Sequence, residues 1–155
     1  MLLVGFRFIN LNFLPIDSDT DLEAISSALD EARPFKGARH QLDQATRILA
    51  DRKKEDNANV IKEAISAVES VCVEVTGEHT LGEALKKLKT SGVIIHPALE
   101  AAWSKMYGWK SDASGIRHGS IEAPNADQAL AKYMLITCSA FVSYVIETGR
   151  KARLV

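Results

Sequence analysis

The stretch ANVIKEAISAVESVCVEVTG, residues 58–77, constrains the fold of this chain more than any other. Its apolar residues recur at intervals of three and four, which places their side chains on one face of a helix. A face this broad has to be covered on several sides, so the stretch predicts the central helix of a bundle, ended by Gly77. The face consists of Val60, Ile61, Ala64, Ile65, Val68, Val71, Cys72 and Val75.

Five other segments show the same helical period and predict a sequential bundle of about six helices. Local signals support their ends: Asp19 or Thr20 is the expected N-cap of the first, Thr80 with Glu83 forms a capping box, and Pro97 suits a first helical turn. The segments cover residues 17–32, 38–54, 80–92, 96–109 and 126–148.

The last two helices have predicted inner faces. We expect Asn125 to cap the final helix and the basic tail GRKARLV to be frayed. The expected inward residues are Leu99, Ala102, Trp103 and Met106 in the fifth helix, and Leu130, Tyr133, Ile136 or Thr137, Ala140, Phe141, Tyr144 and Val145 in the sixth.

Before the helices, residues 4–16 are rich in aromatic and β-branched side chains. Asn10 and Asn12 interrupt the run and Pro15 ends it, which predicts a short β-hairpin. Because a lone hairpin is marginal in water, it must pack on the helices or on a partner. We therefore expect residues 1–34 to form a hairpin and helix that pack with a bundle over 35–155 as one domain.

Composition narrows the class of protein. The chain has 155 residues, of which 46% are hydrophobic and 25% charged, as in ordinary globular proteins. The net charge of −1 gives no global basic field for nucleic acid. No run reaches the ~18 apolar residues of a membrane helix, and the start lacks the features of a signal peptide. We expect a cytoplasmic protein with no membrane association.

Two cysteines, Cys72 and Cys138, lie in separate apolar helical patterns. Reduced core thiols are the expected state, and a disulfide between packed helices stays open as the alternative. The four histidines have no second ligand at a metal-binding spacing, so we expect no metal and no cofactor. His96, before Pro97, is expected to have a structural or solvent role.

The segment SDASGIRHGSIEAPNAD, residues 111–127, is long and polar and contains Arg117 next to His118. Long segments inside compact domains are often functional. An arginine can hold a phosphate, and a histidine can move a proton near neutral pH, which together are a minimal set for metal-free RNA cleavage. Alternatively, Arg117 pairs with an acid such as Asp112 or Glu122 and pins the segment.

Several blocks in order, from IKEAISAVESVCVEVTG through IHPALEAAWSKMYGW and SDASGIRHG to ALAKYMLITCSAFVSYVI, resemble the C-terminal domain of AbiJ-type abortive infection proteins, within the HEPN superfamily. The resemblance covers about residues 35–148. It implies an all-α HEPN-like bundle, a homodimer, and a polar site where the final helices of two protomers meet. Many such domains are metal-independent ribonucleases in phage defence, and longer relatives carry an upstream domain.

The family motif is an arginine, a polar residue and, several positions later, a histidine. Arg117 matches the arginine and His118 takes the polar position, whereas Glu122 and the two residues after it stand where the second histidine would fall. The resemblance thus implies Arg117 and His118 as catalytic residues, with Glu69, Glu122 and Asp112 in support. The departure leaves two alternatives open, a catalytically inactive dimerisation or nucleotide-sensing module and a partner-binding protein.

Overall fold

The computed structural model describes residues 7–108 and 126–155. These parts contain a two-stranded hairpin and six helices, so the all-α class is confirmed at that level. The elements are β1 (Arg7–Ile9), β2 (Asn12–Leu14), α1 (Asp19–Glu31), α2 (Lys36–Ala50), α3 (Asn57–Thr76), α4 (Leu81–Thr90), α5 (Pro97–Gly108) and α6 (Gln128–Lys151).

The hairpin forms where the sequence predicts it. Its strands are antiparallel, with Phe8 opposite Phe13 and Ile9 opposite Asn12. Side chains alternate between faces along a strand, and here Ile9 and Leu14 are buried against the bundle while Phe8 and Phe13 are exposed. Both turn residues, Asn10 and Leu11, have positive φ, at 46° and 65°. Two such residues define the tight type I′ turn that suits the twist of a hairpin.

Helix α3 occupies the centre of the bundle, as its sequence predicts. Its predicted apolar face is buried throughout and packs between α2 and α6. Gly77, with φ of 77°, ends the helix in the left-handed conformation. The hairpin and α1 contribute Leu14, Ile16 and Ile25 to the same continuous core. Residues before and after position 34 therefore bury their apolar side chains in the same core.

Helices α3 and α6 approach each other closely at Gly149. A Cβ built on this glycine would lie 2.3 Å from Cγ1 of Val75, which no real side chain tolerates. The chain then closes α6 with two backbone hydrogen bonds, from Arg153 N to the Arg150 oxygen at 3.0 Å and from Leu154 N to the Gly149 oxygen at 2.9 Å. This is a Schellman motif, so the expectation of a frayed tail was wrong.

Three predicted helix ends are wrong. The N-cap of α1 is Ser18, whose Oγ accepts the amide of Asp21, because the helix already begins at Asp19. Helix α2 ends at Ala50 instead of position 54, since the Asp51 carboxylate accepts amides of the residues after it. The cap of α6 is Asp127, whose Oδ1 accepts the amide of Leu130 at 2.8 Å.

Four predicted inner positions of α5 and α6 are also wrong. Leu99, Ala102, Tyr133 and Ala140 are exposed, whereas Tyr107 of α5 is buried. Helix α6 contacts α1, α2 and α3. Its buried residues include Met134, Cys138 and Val142. The apolar stripe is wide enough that periodicity alone does not fix which residues face the core.

Helix α6 is also the one described helix that is long and apolar enough to cross a membrane, with a mean hydropathy of 1.6 in its best window. The expectation that no run reaches this length was therefore wrong by length and composition. Half of that window is buried inside the bundle, as in the core helix of a soluble protein, so the finding is weak evidence for a membrane span.

Candidate functional site

The predicted site lies mostly outside the described residues. Arg117, His118, Asp112 and Glu122 fall in the segment between α5 and α6, and Glu69 alone lies on a described helix. The structure therefore fixes the two ends of this segment and the surface of α3 that carries Glu69.

The carboxyl end of α5 is held on α6 by four aromatic rings. Trp103 meets Phe141 edge to face, with ring centroids 4.8 Å apart and an angle of 79°. Tyr107 lies 4.9 Å from the same ring, and Trp103 lies 5.3 Å from Tyr144. Such pairs stabilise a contact beyond their buried area. Helix α5 thus enters the segment from a fixed position.

The other end of the segment is fixed by the start of α6. Asp127 caps that helix through its own carboxylate, and the amide of Ala131 donates to its backbone oxygen at 3.0 Å. A negative side chain at a helix amino end is also favoured by the helix dipole. Arg117 and His118 accordingly stand between two ordered helix ends.

Glu69 is half-buried on α3, one turn before Cys72. Burial of the Cys72 thiol, followed by the nearby Glu69 carboxylate, raises the pKa of that thiol to about 12. The pKa of the Cys138 thiol is also raised by burial. A thiol that keeps its proton is a poor nucleophile, so neither cysteine suits covalent catalysis. Both are free thiols, as expected for core cysteines.

The buried Tyr107 hydroxyl lies within electrostatic reach of both thiols. Burial, and then Cys138, raises the pKa of Tyr107 well above its ordinary value. Its oxygen is among the buried polar atoms that have no hydrogen-bond partner in the part of the chain the structure describes. A buried hydroxyl without a partner lowers stability, so Tyr107 stabilises the fold through its ring and not through its hydroxyl.

The three described histidines have no catalytic partner. His96 Nδ1 accepts the amide of Ala98 at 3.1 Å and so caps the start of α5, which confirms its expected structural role. His40 and His79 are exposed. Within residues 7–108 and 126–155, no group of three or more His, Cys, Asp and Glu side chains is placed to hold a metal ion.

A second surface, which the sequence analysis did not identify, lies on the hairpin. Phe8 and Phe13 contact each other across the strands with ring centroids 4.9 Å apart and ring planes tilted by 51°, and their residues are 56% and 53% exposed. Leu11 at the turn is 86% exposed. The sequence does not separate its two faces, because Phe8 and Ile9, and likewise Phe13 and Leu14, are adjacent apolar residues, and only the pairing of the strands shows which of them are exposed.

Comparison with known proteins gives no match: no protein-family model, no curated protein and no solved structure is similar to this chain.

Proposed function

We propose that this chain is a homodimeric HEPN-like domain of phage defence that cleaves or binds RNA without a metal ion, at a site containing Arg117 and His118. The observation that carries the proposal is the adjacency of these two residues in the polar segment that leads into α6. The resemblance to AbiJ-type proteins supplies the cellular role. The helical bundle and the ordered ends of the segment are compatible with it.

Each residue has a chemical task in the proposed reaction. The guanidinium of Arg117 binds the phosphate and stabilises the charge that develops on its oxygens. His118 accepts the proton of the 2′-hydroxyl, whose oxygen then attacks the phosphorus while the 5′-oxygen leaves. The products are a 2′,3′-cyclic phosphate and a 5′-hydroxyl end. The leaving oxygen needs a proton, which the second copy of His118 in a dimer would donate.

The test is RNA cleavage in the presence of a metal chelator. We expect His118→Ala to lower the rate by roughly 10²–10⁴-fold, the usual contribution of a general acid or base. The matched control is His79→Ala, because His79 is exposed on a described loop and outside the site. Arg117→Ala should slow cleavage at unchanged stability. Wild-type turnover that His118→Ala leaves unchanged would remove His118 from the reaction.

The second candidate function is a non-catalytic dimerisation or nucleotide-sensing module. The sequence favours it at one point, because Glu122, Ala123 and Pro124 stand where the resemblance implies a second histidine. This alternative predicts no RNA turnover at any pH. It also predicts that Arg117→Ala abolishes the dimer or the fold, which sedimentation and circular dichroism would detect.

A further inference from the structure

The outward face of the hairpin is apolar where a solvated strand face is ordinarily polar. One face, with Ile9 and Leu14, is buried in the core. The other presents the Phe8 and Phe13 rings, each more than half exposed, side by side at 4.9 Å. The ring planes are tilted by 51° to each other, so the pair forms an aromatic platform in which a planar group can stack on either ring.

The turn beside this platform has a leucine, Leu11, at a position where its backbone conformation is unfavourable. Leu11 has φ of 65°, a left-handed conformation that glycine adopts freely and that costs other residues about 1 kcal/mol or more. The second position of a type I′ turn is usually glycine. Leu11 is nevertheless 86% exposed, so its side chain stabilises nothing within the bundle. A strained residue with an exposed side chain indicates a role outside the fold.

A groove of about 430 Å³ runs beside the platform and is lined by Leu11, Asn12, Phe13, Ala50 and Arg52. Arg52 begins the basic run Arg52-Lys53-Lys54, which is exposed throughout. The groove thus has aromatic and apolar side chains on the hairpin side and Arg52, the first residue of the basic run, on the other side. This is the pairing of stacking surface and positive charge that binds single-stranded nucleic acid.

The acids that flank these cations are hydrogen-bonded to neighbouring residues of the chain. Asp51 Oδ1 accepts the amides of Lys53 and Lys54 at 2.9 and 3.3 Å. Asp56 caps α3 by accepting the amide of Asn59, and Glu55 Oε1 accepts the side-chain amide of Asn57 at 3.2 Å. Within the described ranges neither lysine forms an ion pair. Their charge is available to phosphates.

We propose that the hairpin surface, defined as Phe8, Leu11, Phe13, Lys53 and Lys54, binds an unpaired RNA strand. Bases stack on the two rings and against Leu11, and the lysines contact the backbone phosphates. The inference deepens the proposed function, on which it rests for the choice of RNA, by naming single-stranded RNA as the substrate class. The two adjacent exposed lysines favour a nucleic acid over an apolar protein partner.

The experiment measures fluorescence anisotropy of a labelled 2′-O-methyl oligouridine of about 12 nucleotides, within the range that such surfaces cover. This probe lacks the 2′-hydroxyl nucleophile, so binding is measured without cleavage. Replacing both rings, Phe8→Leu with Phe13→Leu, keeps an apolar surface and removes stacking, and should weaken binding about tenfold or more. Loss of fold would appear in circular dichroism.

The charge test uses two matched double variants. Lys53→Ala with Lys54→Ala should weaken binding and make the logarithmic salt slope shallower by about 1.4, since each phosphate contact on a single strand contributes about 0.7. Lys86→Ala with Lys87→Ala removes the same charge from the exposed face of α4. This control should change the salt slope by less than half as much as the Lys53 and Lys54 pair does. Equal effects of the two pairs would overturn the proposal, because they would show a general charge effect.

Leu11→Gly separates binding from folding. The variant removes the strain and should unfold at a higher urea concentration than the wild type, while binding the probe several-fold more weakly. Unchanged binding would overturn the assignment of Leu11. If instead the ring variants dissociate a dimer in sedimentation and leave probe binding intact, a second copy covers this face and the RNA proposal fails.

The two proposals fail separately. Probe binding that depends on the hairpin surface, without cleavage of an ordinary oligoribonucleotide, would reject the ribonuclease reaction and support the hairpin surface. Cleavage that depends on His118, with binding indifferent to the ring and lysine variants, would support the reaction and reject the hairpin surface.

Discussion

Glu74 of α3 caps the start of α2 at Gly37: its Oε1 accepts the Gly37 amide at 2.8 Å, and its Oε2 accepts the next amide, of Ala38, at 3.0 Å. The residue at the N-cap position, Phe35, makes no side-chain cap hydrogen bond. A carboxylate at this end is also attracted to the positive end of the helix dipole. The first turn of α2 therefore depends on a side chain from another helix.

Replacing Glu74 should weaken the contact between α2 and α3. We expect Glu74→Ala to lower the free energy of unfolding by about 1–2 kcal/mol, as for loss of a charged helix cap, and Glu74→Gln to lower it by less, because an amide oxygen can still accept one hydrogen bond. Urea unfolding measures the difference. Glu23→Gln is the control, since Glu23 is exposed on α1. Equal effects at positions 23 and 74 would contradict the cap.

Two glycines should respond to alanine in opposite directions. Gly149→Ala drives a methyl group into Val75 and should destabilise the protein by about 1–3 kcal/mol or more. Gly82→Ala, in α4, meets no atom within 4 Å and should stabilise the helix by up to about 1 kcal/mol. Thermal unfolding of the two variants checks the pair. A stable Gly149→Ala variant would show that α3 and α6 lie further apart than described.

Tyr107→Phe should leave the protein as stable as the wild type or more stable. The ring contact with Phe141 remains, and a buried oxygen without a described hydrogen-bond partner is removed. Urea midpoints measure the effect, and Tyr107→Leu, which removes the ring, should destabilise by comparison. A loss of about 1 kcal/mol or more in Tyr107→Phe would reveal a hydrogen bond to this hydroxyl.

Alkaline pH should destabilise the bundle in part through Cys72. Burial raises the pKa of this thiol from 9.0 to about 12, so the folded protein keeps a proton that the unfolded chain loses. The stabilisation is complete below pH 9 and is lost as the pH rises towards 12, by at most about 1.4 kcal/mol per pH unit. The difference between the wild type and Cys72→Ala isolates this slope from lysines and tyrosines. Parallel curves between pH 9 and 11 would contradict it.

Local sequence signals predicted the elements well and their orientation less well. The broad apolar face of α3 identified the central helix, and Gly77 gave its end, because both depend on nearest neighbours along the chain. Tyr133 and Ala140 lie on the apolar stripe of α6 and are exposed, because that stripe is wider than the surface its neighbours cover. Only the placement of the other helices decides which part is buried.

Long-range contacts could not be predicted. Glu74 stands 37 positions from Gly37, and no local pattern connects a glutamate in one helix with the uncapped start of another. The candidate functional residues also differ in whether the sequence alone could identify them. Arg117 and His118 are identified by residue type and resemblance alone, whereas the platform of Phe8 and Phe13 follows from a register that only the pairing of strands establishes.

The contact between Gly149 and Val75 also limits how α3 and α6 can move past each other. Helices that touch only through long side chains can slide by exchanging rotamers. At this contact the backbone of α6 lies against a valine methyl group, so a shift of α6 along α3 would bring a residue with a side chain to the place that Gly149 occupies. A one-turn ratchet between these two helices therefore requires them to separate first.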